Sequence, residues 1–73
     1  MESENLFRVT LANEDLGYRA QFELIDPIDP DVVTRAALGD YLELRLRQDR
    51  LWPAVDVRLV NIEWQAASTV GIV

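Results

Sequence analysis

Asp26–Pro53, DPIDPDVVTRAALGDYLELRLRQDRLWP, is the stretch whose reading decides the fold. Asp29 has the side chain of an N-cap, and Pro30 suits the first helical position, where a missing N–H costs nothing. Asp26, Asp29 and Asp31 place negative charge at the positive end of a helix dipole, and Arg45, Arg47 and Arg50 place positive charge at the other end. Between them lie mostly good helix formers, and Glu43 and Arg47 stand four apart in the favourable order. Pro53 forbids continuation. One helix over Asp31–Gln48 is therefore expected, with Gly39 inside it at a cost of roughly 1 kcal/mol against Ala.

The same residues support a second reading. Gly39 could close a short helix at Leu38, and Tyr41–Arg47 alternates apolar and polar residues as a strand does. The single helix is preferred because residues 42–47 lack the β-branched and aromatic side chains that strands favour. On a helical wheel Val33, Ala37, Tyr41 and Leu44 share one side. Leu38, Leu42 and Leu46 form a ridge beside them, opposite Asp40, Glu43 and Arg47. The face of a small sheet rarely covers an arc that wide.

Outward from this stretch the pattern changes to period two. In Leu6–Ala12, Phe7, Val9 and Leu11 form the better buried face. Asn13-Glu14-Asp15-Leu16-Gly17 has turn composition. Tyr18–Ile25 then alternates again, with Tyr18, Ala20, Phe22 and Leu24 on one side. Together these read as a β-hairpin. After Pro53, Val55, Val57 and Leu59 alternate, and then Val60, Ile62 and Trp64 take the opposite phase, a shift that suggests a bulge. The expected architecture is one α+β domain over residues 1–73: β-β-α-β, a small antiparallel sheet with one helix packed on it. The alternative adds a strand at 41–47. Residues 66–73 are expected to form a flexible tail.

Composition narrows function mainly by exclusion. The 73 residues contain no Cys, His or Lys, which removes thiolate, imidazole and Schiff-base chemistry, and no Gly-rich phosphate loop is present. No catalytic residue, metal site or cofactor is expected, and the chain is read as a non-enzyme. The Asp26, Asp29 and Asp31 spacing lacks the central Gly and distal Glu of a calcium loop. No apolar run approaches a membrane span and no export signal is visible, so a monomeric cytoplasmic protein is expected.

Net charge is −6, with eight acids against two arginines in residues 1–31 and three acids against four arginines in residues 32–52. A chain of this sign is repelled by a phosphate backbone, so direct nucleic-acid binding is not expected and a protein partner is. Trp52 stands among arginines at the helix exit, where it either packs back over the helix end or anchors an interface. Arg47, Arg50, Leu51 and Trp52 are the candidate partner-binding residues, acting together with a sheet edge that could accept a peptide by main-chain bonds.

The opening MESENLFRVTLANEDLGYRA, with the length, the acidity and the use of Arg without Lys, resembles the small RNA polymerase-binding transcription regulators of phages that infect xanthomonads. The resemblance covers the whole chain. It implies a non-enzymatic host-takeover protein located in the host bacterial cytoplasm. Such a protein binds the N-terminal region of the polymerase β′ subunit, hinders σ factor engagement, inhibits transcription initiation and can act as an antiterminator. No site residue is carried over from it. An acidic DNA mimic that blocks a host nuclease or defence system is the alternative.

Overall fold

A computed structural model describes residues 4–67. Strand β1 (Asn5–Asn13) is followed by β2 (Tyr18–Asp26), helix α1 (Arg35–Gln48) and β3 (Arg58–Ala66). The sheet order is β2-β1-β3, and both outer strands run antiparallel to β1. Thus β2 and β3 point the same way, separated by β1 and joined through the helix. The fold is a small α+β domain of β-β-α-β order, with α1 on one face of the sheet.

The hairpin closes where turn chemistry places it. A single 3-10 turn, Glu14–Leu16, is capped by the Asn13 side chain, which accepts from the Leu16 N–H at 3.1 Å. Gly17 leaves that turn at φ 66°, a left-handed conformation that glycine adopts without steric cost. The hairpin register sets Phe7 opposite Leu24, Val9 opposite Phe22 and Leu11 opposite Ala20. On the other side of β1, Thr10 pairs with Asn61 and Leu11 with Leu59, so Val60 is the extra residue of a bulge. The phase shift in the sequence therefore has its physical counterpart.

Phe7, Val9 and Leu11 are fully buried, and Leu38, Leu42 and Leu46 pack down onto them, with Leu24, Val57 and Ile62 completing the core. Of the two ridges on the helical wheel, that of Leu38, Leu42 and Leu46 is thus the one that faces the sheet. Ala37 and Leu44 of the other ridge are exposed, while Tyr41 and Val33 are half-buried. Strand pairing at 41–47 does not occur; α1 continues through Gly39.

Two boundaries differ from expectation. The helix begins at Arg35, with Thr34 as N-cap, its Oγ1 accepting from the Ala37 N–H at 3.1 Å. Asp29 does accept a backbone bond, from the Asp31 N–H at 2.9 Å, and its carbonyl accepts from Val32, but this turn stays isolated. The β-branched run Val32-Val33-Thr34 resists helical propagation, and Thr34 is extended at ψ 160°. The second difference lies in β3, which begins at Arg58 rather than near Val55 and runs through Gln65 and Ala66. The Ala67 N–H then bonds the Glu4 carbonyl at 2.9 Å. Of the expected tail, residues 68–73 lie outside the described residues.

At its other end α1 closes in a Schellman motif. The Arg50 N–H donates to the Arg47 carbonyl at 3.1 Å, and the Leu51 N–H to the Leu46 carbonyl at 2.8 Å. Arg50 occupies the left-handed C′ position at φ 62°, where glycine is the usual residue. For an L side chain this conformation costs about 1–2 kcal/mol. Arg50→Gly should therefore raise stability by about 0.5–1 kcal/mol after the entropy that glycine adds to the unfolded chain. A urea titration checks this, and an unchanged or lower midpoint would count against the strain.

Candidate functional site

Helix α1 sits over the sheet with three distinct flanks, because its Leu38-Leu42-Leu46 ridge points down. The flank towards β2 carries Tyr41 and Arg45, and these meet Asp26. Asp26 ends β2 and is only 1% exposed. Its carboxylate accepts from the Tyr41 hydroxyl at 2.8 and 3.0 Å and from the Ile28 N–H at 2.8 Å, and it pairs with the Arg45 guanidinium. Arg45 also reaches Asp49 at 3.6 Å. Asp26, expected to serve the helix dipole, instead locks the end of the hairpin to the helix. The tyrosine hydroxyl is held above its ordinary range, first by donating to Asp26 and then by burial. The Arg45 guanidinium is raised despite the opposing effect of burial, because it lies beside the Tyr41 hydroxyl and faces Asp26 and Asp49.

The helix exit brings the candidate residues Arg47 and Trp52 together. The Arg47 guanidinium lies 4.5 Å from the Trp52 ring centroid, and its Nε donates to Glu43 Oε2 at 2.9 Å. Trp52 is half-buried and packs against the core, so it covers the helix end, whereas Arg50 and Leu51 are exposed. Trp52→Ala is expected to destabilise the fold by about 2 kcal/mol, less than the ~3–5 kcal/mol of a fully buried aromatic. Arg47→Ala should lose only about 0.5–1 kcal/mol, the size of an exposed cation–π contact. Urea unfolding measures both; a loss below that of Arg47→Ala would show that the Trp52 ring does not support the core.

The third flank, towards β3, carries a groove of about 560 Å³. Arg35, Ala36, Gly39, Asp40 and Glu43 form the helix wall, and Val57, Arg58, Leu59, Val60 and Ile62 form the opposite wall. Because β3 pairs with β1 alone, its outer edge has no strand partner among the described residues. Val60, pushed out at the bulge, is 43% exposed there. None of Arg47, Arg50, Leu51 or Trp52 lines this groove; the nearest connection is the Glu43–Arg47 ion pair. The exit cluster and the groove are adjoining features rather than one site. Arg35, Gly39 and Arg58 are not among the partner-binding residues expected from sequence, although the cost of Gly39 inside a helix is expected from it. The available signal was the poor fit of Gly39 to a helix interior; Arg35 became the first helical residue only when the helix start moved from Asp31.

The open face of the sheet is polar. Arg8 stands between Glu23, at 2.8 Å, and Glu63, at 4.0 Å. With the pairs of Arg45 and Arg47, five carboxylates face a guanidinium: Glu23, Glu63, Asp26, Asp49 and Glu43. This leaves fewer acids available to imitate a row of phosphates. Among the described residues no group of three or more acidic, Cys or His side chains is placed to hold a metal ion, and no helix is long and apolar enough to cross a membrane.

These features define a class: a small α+β domain with an unpaired sheet edge beside a helix-walled groove. Comparison with protein families, curated proteins and solved structures finds no match to this chain.

Proposed function

We propose that this chain is a phage host-takeover protein that works by binding another protein, bacterial RNA polymerase, at the N-terminal region of its β′ subunit. Contact there hinders σ factor engagement and inhibits transcription initiation, with antitermination as a second consequence of the same contact. The observation that carries a peptide-binding mode is the free outer edge of β3 beside the α1 groove, where an extended segment could gain main-chain bonds and seat alternate side chains. The choice of polymerase rests on the whole-chain resemblance and on the net charge of −6, which disfavours nucleic acid itself as the ligand. The absence of His, Cys and Lys supports a binding role over catalysis.

The test is co-elution of the purified chain with xanthomonad RNA polymerase core enzyme in gel filtration. It is repeated with core enzyme lacking the β′ N-terminal segment, and σ-dependent open-complex formation is followed in parallel. Co-elution that needs the segment, with fewer open complexes, supports the reading. No co-elution with intact core enzyme overturns it.

A further inference from the structure

Two residues on the groove side of α1 are poor choices for the helix that holds them. Arg35 is its first residue, where a cation opposes the dipole, and no acidic side chain lies in the first turn. Gly39, one turn later, lowers helix stability relative to alanine. Packing within the chain does not require that glycine: a Cβ added there would meet nothing within 4 Å, and its φ is not positive. Both residues line the groove. Local choices that oppose the fold without an internal reason tend to mark functional positions.

The charges of the groove point the same way. In a chain of net charge −6, its walls carry two arginines without an ion pair among the described residues, Arg35 and Arg58, against one carboxylate without one, Asp40. Glu43, on the same wall, is already paired with Arg47. The rest of the lining is small or apolar: Ala36, Gly39, Val57, Leu59, Val60 and Ile62. Beside it runs the unpaired main chain of β3.

We infer that the α1–β3 groove binds an extended peptide of alternating apolar residues that also carries a carboxylate side chain, and that Gly39 is the residue that admits it. The peptide adds to β3 through main-chain bonds, one apolar side chain occupies the space left open over Gly39, and Arg35 and Arg58 receive the carboxylate. The absence of a side chain at position 39 then sets which segments fit. This rests on the peptide-binding mode proposed above and defines the chemistry of its ligand.

The experiment selects a displayed library of random short peptides against the full chain, then titrates the enriched peptides into isotope-labelled protein. Alternating apolar sequences with Asp or Glu should be enriched and should shift the amides of Gly39 and residues 58–62. Gly39→Leu should weaken their binding roughly tenfold or more, the scale of an interface hot spot, while its melting midpoint does not fall. Gly39→Ala should raise that midpoint and weaken binding less. Arg35→Ala and Arg58→Ala should weaken acidic peptides but not their amide counterparts, and N-methylation of alternate peptide amides should abolish binding. No enrichment, shifts confined to other surfaces, wild-type affinity in Gly39→Leu, or a dimer of this chain closed through the groove would each overturn the inference. If polymerase fails to co-elute while these peptides behave as expected, the named partner falls and the groove stands. If polymerase binds Gly39→Leu as tightly as wild type, the partner stands and this inference falls.

Discussion

Arg45→Met should destabilise the domain by about 3 kcal/mol, at the low end of the ~3–5 kcal/mol seen when one partner of a buried ion pair is removed. The low end applies because Asp26 keeps the Tyr41 hydroxyl and the Ile28 N–H as donors, and because the Arg45 side chain is 28% exposed. The carboxylate itself is inaccessible and would lose its counter-charge. A domain of this size holds a total of roughly 4–11 kcal/mol, so the loss is a large share of it. Urea unfolding followed by circular dichroism measures the change, and a loss under about 1 kcal/mol would show that water reaches Asp26.

The same cluster sets an alkaline limit. Tyr41 titrates above its ordinary value in the folded state because its proton is shared with Asp26 and its ring is partly buried. A group whose folded pKa is raised contributes stability that is fully present below its unfolded value, about 10 for tyrosine, and is lost as pH rises through the folded value. Stability should therefore fall in that alkaline window, and Tyr41→Phe should flatten the fall. An equal slope in both proteins would assign it elsewhere.

The second large effect separates two leucines that stand two residues apart. Leu42 is fully buried against the sheet, and Leu42→Ala should cost about 3 kcal/mol, within the ~2–5 kcal/mol of buried leucine truncations. Leu44 is 53% exposed on the same helix, and Leu44→Ala should change stability by less than about 0.5 kcal/mol. For a domain this size the first change lowers the melting temperature by more than roughly 10 °C and the second leaves it nearly unchanged. Comparable losses from both would restore the strand reading, in which Leu42, Leu44 and Leu46 share one face.

The contrast between Leu42 and Leu44 also shows how far local pattern reaches. Period-two alternation around Phe7, Val9 and Leu11, turn chemistry at Asn13–Gly17, and the phase shift at Val60 identified the hairpin, its inner face and the bulge. Each depends on neighbours along the chain, and the strand geometry enforces it. The end of α1 at Gln48 was equally legible, from the arginines and Pro53. Which ridge of the helix faces the sheet was not, because a wide apolar arc permits several rotations about the helix axis. The buried bond between Asp26 and the Tyr41–Arg45 flank accompanies the rotation that puts Leu38, Leu42 and Leu46 down. That partner lies on another element. The helix start moved for a related reason: three consecutive β-branched residues outweighed a well-formed cap at Asp29, and Asp26 was needed in the core.

The candidate site divides along the same line. Arg47 and Trp52 were found from sequence because arginines and an aromatic gather within a few residues at a helix exit, and their stacking is a local consequence. The groove joins Arg35 and Gly39 to Arg58 and Val60, residues far apart in the chain. Their meeting depends on the order β2-β1-β3, which leaves β3 at an edge beside the helix flank. By itself the sequence determined an acidic α+β domain without the usual catalytic side chains, with a hairpin, a helix and a last strand. Tertiary structure alone decided which helix flank meets which strand, because that choice minimises the exposure of one leucine ridge and one carboxylate, and both demands are met only when the elements are packed.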